Sequence, residues 1–184
     1  KMLKKKNANV NQVGGRGKNG KTALIAACFG GQMKVIKHLL KMKGIQVNQT
    51  RRDGMTALYA ACGKGHVAVV KVLIARKEIQ INQADKNGTT PLSVTCQWGH
   101  VDVARLLLAR EEIQINQAKE GGVTPLWITC QNGHVDVVRL LLAREEIQIN
   151  QMKESGATPL YITCQNGHVD VVRLLLAREE IQIN

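Results

Sequence analysis

Aromatic side chains are scarce in this sequence. Only five of its 184 residues are aromatic, and only three are proline. No apolar run approaches the roughly 20 residues that a membrane-spanning helix needs, so we expect no transmembrane segment. No stretch has the pattern of a secretory signal peptide either.

Acidic residues are missing from the first 52 residues. That segment holds 13 Lys and Arg, whereas residues 53–184 hold 13 basic and 14 acidic residues. The net charge of +12 therefore belongs almost entirely to the N-terminal end. A charge of one sign on part of a surface favours association with a partner of the opposite sign.

An internal repeat of fixed length organises the chain. The segment from Thr124 to Asn150 returns at 158–184 and, less faithfully, stands at 90–116 and 56–82. We use the word column for the set of equivalent positions in successive repeats. Two columns hold identical residues at the same spacing: Cys28, Cys62, Cys96, Cys130 and Cys164 in one, and His66, His100, His134 and His168 in the other. A period of about 34 residues indicates supersecondary units stacked side by side, each covering the apolar face of its neighbours.

Each unit is predicted to contain two short antiparallel helices. In the fourth unit, Thr124 is a suitable N-cap and Pro125 a suitable first helical residue. Gly133 is predicted to end this helix. The carboxylate of Asp136 interacts favourably with the positive N-terminus of the next helix. The polar tract that follows alternates locally, which predicts an extended crossing with a turn rather than a third helix.

The five cysteines are predicted to be small, buried, apolar residues. Helices packed about 8 to 10 Å apart hold their Cα atoms too far apart for a disulfide, which requires about 7 Å or less. Reduced thiols favour an intracellular, reducing compartment, cytoplasmic by default. A metal site from Cys96 and His100 is disfavoured, because it offers two ligands where zinc requires three or four.

We expect neither a cofactor nor enzymatic activity. The repeated histidines follow Gly at a helix start, no Ser or Cys has a positioned base, and no Gly-rich phosphate loop follows a strand. A would-be site that is copied four times is better explained by structure than by catalysis.

The motif Thr-Pro-Leu at 90–92, 124–126 and 158–160 is followed each time by Gly-His, a helix rich in Val and Leu, and Ile-Asn. This pattern resembles the ankyrin repeat and covers essentially the whole chain. The resemblance implies an all-α solenoid of helix pairs with β-hairpin-like loops, which binds other proteins through its loop tips and concave first helices. The rival helical repeat of similar length, the tetratricopeptide, lacks its aromatic pattern here. The chain departs from the family after Thr-Pro-Leu, where the usual histidine is replaced by Ile25, Tyr59, Ser93, Trp127 and Tyr161.

Repeat boundaries follow from the period. We interpret residues 1–20 as the remnant of a preceding repeat plus an extended loop. Residues 21–184 are interpreted as five repeats, at about 21–49, 50–83, 84–117, 118–151 and 152–184. Because no polar closing repeat is present, we expect either further repeats in a longer array or a larger complex that covers the apolar face.

Differences among the last three copies indicate where a partner binds. They differ in nine columns, most of which lie in the hairpin tract or on the first helix. The outer positions Arg105, Arg110, Glu111 and Glu112 are repeated unchanged, which argues against drift restrained only by packing. Recent duplication with too few changes to interpret stays open as an alternative.

All five aromatic residues fall in three columns of the first helix. Large aromatic residues and Arg are the usual anchors of protein interfaces. The residues predicted to contact a partner are therefore Phe29, Tyr59, Trp98, Trp127 and Tyr161, together with Arg51, Arg52, Lys86, Asn132 and Asn166. The alternative is that Tyr59, Trp127 and Tyr161 wedge between adjacent first helices, an explanation that suits Trp98 less well.

The basic N-terminal third predicts an acidic surface on the partner. Lys34 stands where a later copy carries Asp102, at a helix N-terminus that disfavours positive charge. The predicted basic patch comprises Arg16, Lys18, Lys21, Lys34, Lys37 and Lys64. A solvated basic face without a partner stays an alternative. Nucleic acid is less favoured, because no recognised reading motif accompanies the charge.

The sequence thus predicts a non-catalytic scaffold that binds another protein through its first helices and loops. A structural subunit of a larger assembly is the competing class. Nucleic-acid or acidic-surface binding through the basic third is the remaining one.

Overall fold

Helix pairs follow one another along the chain. The structure is a computed structural model, which describes residues 9–14 and 20–183. Within these residues the helices are α1 (Ala23–Phe29), α2 (Met33–Leu39), α3 (Ala57–Gly63), α4 (Val67–Ile74), α5 (Pro91–Trp98), α6 (Val101–Leu108), α7 (Pro125–Asn132), α8 (Val135–Leu142), α9 (Pro159–Gln165) and α10 (Val169–Leu176).

The odd-numbered helices stack in one layer and the even-numbered helices in a second layer. Each odd-numbered helix also packs against the even-numbered helix that follows it. The fold is therefore the all-α solenoid of helix pairs that the period predicts.

The loops between pairs differ slightly from the expectation of an extended crossing with a turn. A short 3-10 turn, Glu120–Gly122, lies in the loop before α7. The described residues form no strand, but hairpin-like pairing recurs in the loops. Isolated bridges join Gly14 to Lys21 and Lys119 to Val123. The backbone N–H that donates from Lys119 to the Val123 carbonyl has equivalents from Arg51 to Met55, from Asp85 to Thr89 and from Lys153 to Ala157.

Threonine side chains begin every odd-numbered helix. In the fourth repeat, Oγ1 of Thr124 accepts a hydrogen bond from the backbone N–H of Trp127 at 3.1 Å. Such a cap satisfies a donor that the first helical turn leaves unpaired. Pro125 follows at the first helical position, where its missing N–H is not needed.

The core runs along the array instead of forming one centre. Leu58, Leu92 and Leu126 of the odd-numbered helices and Leu107 and Leu141 of the even-numbered helices are all buried. Complete burial of such a side chain stabilises the fold by about 1.5 to 3 kcal/mol. Because these contacts join each repeat to its neighbours, stability is shared between repeats.

Asparagine side chains link successive repeats through the loops. Nδ2 of Asn82 donates to the Glu112 carbonyl at 2.7 Å, while its Oδ1 accepts from the backbone N–H of Gln114 at 3.0 Å. Asn116 makes the same pair of bonds one repeat later. Asn11 makes it to the first repeat, which places residues 9–14 in register with the array.

Arginine side chains make a second link between repeats. Nη1 of Arg110 donates to the Ile74 carbonyl at 3.2 Å, and its guanidinium pairs with Glu112. Arg110 and Glu112 were predicted to be outer positions, and Glu112 is exposed and Arg110 partly so, but both contribute to these links between repeats. Their repetition is explained by these contacts, which weakens the inference drawn from unchanged outer columns.

Candidate functional site

The five aromatic side chains divide into exposed and buried ones. Phe29, Trp98 and Tyr161 are 43%, 60% and 59% exposed, whereas Tyr59 and Trp127 are 9% and 3% exposed. All of them belong to odd-numbered helices. The three exposed rings are the ones available to another molecule.

Phe29, Tyr59 and Trp98 line one pocket, which lies between α1, α3 and α5. Its volume is about 300 Å³. The remaining lining residues are Met55, Ala60, Gly63, Lys64, Val94 and Gln97. We call this cavity the Gly63 pocket. A second cavity of about 300 Å³ shares Trp98 with it and extends to Asn132. Trp98 therefore separates two adjoining cavities.

Two lysines hold their ammonium groups over the Phe29 ring. Nζ of Lys21 lies 4.6 Å and Nζ of Lys64 lies 4.5 Å from the ring centroid. Both contacts are cation–π interactions, in which the ring face attracts the charge. Among residues 9–14 and 20–183 no carboxylate forms an ion pair with either ammonium group. One wall of the Gly63 pocket is therefore both aromatic and positively charged.

Tyr59 presents its ring to the pocket and its hydroxyl to Asp85. Burial is the main cause that raises the pKa of Tyr59 to about 12. The negative charges of Asp85 and Asp53 and the hydrogen bond with Asp85 act in the same direction. The phenol is therefore neutral near physiological pH and donates its proton to the Asp85 carboxylate in a hydrogen bond.

Arg51 is paired within its own loop. Its guanidinium forms an ion pair with Asp53, whose carboxylate also accepts from the Met55 backbone N–H at 3.2 Å. The hydrogen bond from Arg51 holds the pKa of Asp53 below its ordinary value. A partner would have to compete with Asp53 for Arg51. Arg52 and Lys86 are exposed at the loop tips, and contact with a partner stays a prediction for them.

Trp127 fits the packing alternative and not the predicted contact role. Its indole Nε1–H donates to the Ala157 carbonyl at 3.0 Å, and Nζ of Lys153 lies 4.8 Å from its ring centroid. With 3% of the residue exposed, no surface remains for a partner. The next repeat covers this ring because the loop before α9 crosses it.

Asn132 and Asn166 use their side-chain amides inside the array. Nδ2 of Asn132 donates to the Gln97 carbonyl at 3.0 Å, and Nδ2 of Asn166 donates to the Gln131 carbonyl at 2.8 Å. Both residues are exposed, so partner contact stays a prediction for them. Their column nevertheless has a structural role that the sequence did not indicate.

The predicted basic patch is divided between two layers and is not one continuous surface. Lys21 and Lys64 lie beside the Phe29 ring, whereas Lys34 and Lys37 are exposed on α2. Lys21 precedes α1 and Lys64 follows α3, so this pair belongs to the odd-numbered layer, whereas Lys34 and Lys37 belong to α2 in the even-numbered layer. Arg16 and Lys18 lie outside the described residues.

The repeated histidines join neighbouring repeats. Nε2 of His134 donates to the Gln97 carbonyl at 3.1 Å, and Nε2 of His168 donates to the Gln131 carbonyl at 3.0 Å. These contacts explain the period of the histidines by packing. Across the described residues no group of three or more metal-ligating side chains is found.

Four of the five cysteines are buried, as predicted. Burial raises the pKa of the Cys28, Cys62, Cys96 and Cys130 thiols to about 12. Such thiols stay protonated and unreactive near neutral pH. The prediction is wrong for Cys164, which is exposed because no further odd-numbered helix packs on α9 in the described chain.

Sequence reasoning missed the apolar residues Met55 and Val94, which line the Gly63 pocket. One signal was present in the sequence. Gly63 stands in a column that holds Gln in the three later copies, at 97, 131 and 165. A missing side chain in such a column indicates a gap in the surface.

Stacked helix pairs joined by repeated side-chain links, with exposed aromatic rings on one layer, define a helical repeat solenoid with a surface suited to binding. A family model described as ankyrin repeats in three copies matches residues 34–119 and 112–184. The chain belongs to the ankyrin repeat family. Such repeats are in general protein–protein interaction modules, and proteins built from them are typically non-catalytic scaffolds.

A comparison with curated proteins finds no match for this chain. In the part of the chain that the structure describes, no helix has the length and apolar character needed to cross a bilayer.

Proposed function

We propose that this chain is a non-catalytic scaffold that binds a partner protein through the exposed side of its odd-numbered helices and the adjoining loop tips. We call this surface the first-helix face. The observation that carries the proposal is the exposure of Phe29, Trp98 and Tyr161 on that layer. Large aromatic side chains at a protein surface are the residues that most often anchor interfaces.

Two lysines of the first-helix face support an acidic partner at its N-terminal end. Lys21 and Lys64 place two positive charges beside Phe29. Complementary charge on a partner would accelerate association and favour this register over others. Five cysteines without a disulfide support a reducing, cytoplasmic location for this interaction.

The test uses substitutions by residues that already stand at equivalent positions in other repeats of this chain. Trp98→Asn and Tyr161→Ser replace each exposed ring by the residue found in the same column of another repeat, Asn132 or Ser93. Arg105→Gln on α6 is the control, because Arg105 is exposed on the other layer. Quantitative affinity capture from source cells with cross-linking is the measurement.

We expect the double variant to lose captured partner by about tenfold or more and the control to retain it. Cross-links should concentrate on the odd-numbered layer. Retention by the double variant would refute binding through the first-helix face. Loss only on substitution of exposed apolar residues of α10, such as Leu176, would favour a structural subunit instead.

A further inference from the structure

The Gly63 pocket exists because one repeat lacks a side chain that later repeats have. Gln97 and Gln131 occupy the column of Gly63 in the two following repeats. A Cβ added at Gly63 would lie 3.0 Å from Cγ2 of Val94, at the inner surface of the pocket. Gly63 therefore leaves space that a Gln side chain would fill.

The walls of the pocket are suited to one apolar side chain. Tyr59 is almost fully buried and presents a fixed ring, while Phe29 and Trp98 stand exposed on either side. Met55 and Val94 add aliphatic surface. An apolar group that enters would remove water from both exposed rings, which is the main driving force for such binding.

The charge around the pocket selects for carboxylates beside that apolar group. Nζ of Lys21 and Nζ of Lys64 both approach Phe29, and two like charges held at one ring favour an incoming anion. The neighbouring acids already have partners. Asp53 is paired with Arg51, and Asp85 accepts from the backbone N–H of Asn87 at 2.9 Å.

We propose that the Gly63 pocket binds one apolar side chain of an extended acidic segment of a partner protein, whose flanking carboxylates meet Lys21 and Lys64. This inference rests on the proposed function and names the chemistry of the partner at that site. A peptide fits better than a nucleic acid, because the pocket lining is mainly apolar and Lys21 and Lys64 supply two positive charges beside it, whereas binding to a phosphate backbone commonly uses about six to ten phosphate contacts.

The test uses a capped peptide with one phenylalanine between two runs of glutamate. Titration is followed by calorimetry and by the fluorescence of Trp98, which is the exposed one of the two tryptophans. One control peptide replaces the phenylalanine by serine, and another replaces the glutamates by glutamine. A single-stranded oligonucleotide is titrated in parallel.

Gly63→Gln is the decisive variant because it closes the pocket without removing a lining side chain. Gln97 and Ile128 occupy the positions in the next repeat that correspond to Gly63 and Val94. The array therefore already accommodates a Gln side chain at this position. Gln also has a higher helix propensity than Gly. Circular dichroism and thermal melting verify that the variant folds. Lys64→Asn tests the charge separately.

We expect Gly63→Gln and the serine peptide each to weaken binding by about tenfold or more. Lys64→Asn and the glutamine peptide should weaken binding and reduce its dependence on salt. Equal affinity of the Gly63→Gln variant and the unaltered protein would overturn the proposal. The proposal would also be overturned if the serine peptide bound as tightly as the phenylalanine peptide. It would be overturned as well if the unaltered protein bound the oligonucleotide more tightly than the acidic peptide and Gly63→Gln abolished that binding.

The two proposals fail in different ways. Suppose that the unaltered chain does not bind the acidic peptide, but the double variant Trp98→Asn with Tyr161→Ser captures less partner. The inference about the Gly63 pocket is then wrong, whereas the proposed binding through the first-helix face is retained. Suppose instead that the double variant captures as much partner as the unaltered chain, while the peptide binds in the Gly63 pocket. The proposed function is then wrong, whereas the inferred ligand chemistry of the pocket is retained.

Discussion

Residues in one column of this array can differ in what covers them. Trp127 and Tyr161 occupy equivalent positions on α7 and α9, yet the first is 3% and the second 59% exposed. The loop that contains Ala157 crosses the Trp127 ring and accepts its indole N–H, whereas none of the described residues covers Tyr161 to the same extent. Burial at a repeat position is therefore decided by the following repeat.

Trp127→Ala tests this difference at the scale of a residue. We expect a loss of about 3 to 5 kcal/mol in the free energy of unfolding, because the substitution leaves a cavity and an unpaired Ala157 carbonyl. Tyr161→Ala is the matched control and should change that free energy by no more than about 0.5 kcal/mol. Urea denaturation measures both. A loss at Trp127 below about 1 kcal/mol would contradict its packing role.

The thiols provide a second test at the residue scale. Cys164 is exposed, whereas the other four thiols are buried and their pKa values are raised to about 12. Near neutral pH a thiol reagent should modify one cysteine rapidly and four only on unfolding, because thiolate and access are both needed. Cys164→Ser should remove the rapid phase. More than one rapid thiol would show that the described packing is wrong.

At the scale of an element, the glycine between the two helices of a pair has two separable functions. Gly133 and Gly167 both have positive φ, at 68° and 72°. A Cβ on Gly133 would lie 2.6 Å from Nδ1 of His168, whereas a Cβ on Gly167 would meet nothing within 4 Å. The first glycine therefore allows both a left-handed turn and close approach of the next histidine, and the second allows only the turn.

Gly133→Ala and Gly167→Ala separate these contributions. The left-handed conformation should cost each variant about 1 to 2 kcal/mol of stability. Gly133→Ala should cost more, because His168 must move and its hydrogen bond to the Gln131 carbonyl is disturbed. Urea denaturation of both variants supplies the difference. Equal losses would mean that the histidine contact contributes nothing to the joining of repeats.

At the scale of the whole molecule, stability belongs to the contacts between repeats. Leu141 is fully buried on α8, and α8 contacts α7 within its pair as well as α6 and α10. Asn, Arg and His side chains add regular hydrogen bonds across each boundary. A loss in one repeat should therefore weaken its neighbours, as expected of a nearly one-dimensional array.

Leu141→Ala tests this sharing. We expect a loss of about 2 to 5 kcal/mol from the cavity that remains. Hydrogen exchange should accelerate in α6 and α10 as well as in α8, because neighbouring repeats unfold together. Arg139→Ala, exposed on the same helix, is the control and should leave exchange unchanged. Acceleration confined to α8 would argue against coupling between repeats.

Much of the site could be anticipated from columns, but its assembly could not. The sequence predicted the aromatic columns and the basic N-terminal end, and it favoured an exposed Trp98. The choice between packing and partner contact for Trp127, the Arg51–Asp53 pair and the split of the basic patch could not be anticipated, because each depends on how the loops and helices pack in three dimensions. Equivalent positions also need not have equivalent neighbours.

By itself the sequence determined the period, the helix starts and the apolar stripes. These follow from local rules, such as Thr caps, Pro at the first helical position and Gly where φ is positive, which recur at the same place in successive units. Only the tertiary structure decided which ring is covered, which lysines stand at Phe29 and where a pocket opens. The reason is that burial and charge proximity are properties of two repeats in contact, whereas a helix cap is a property of one.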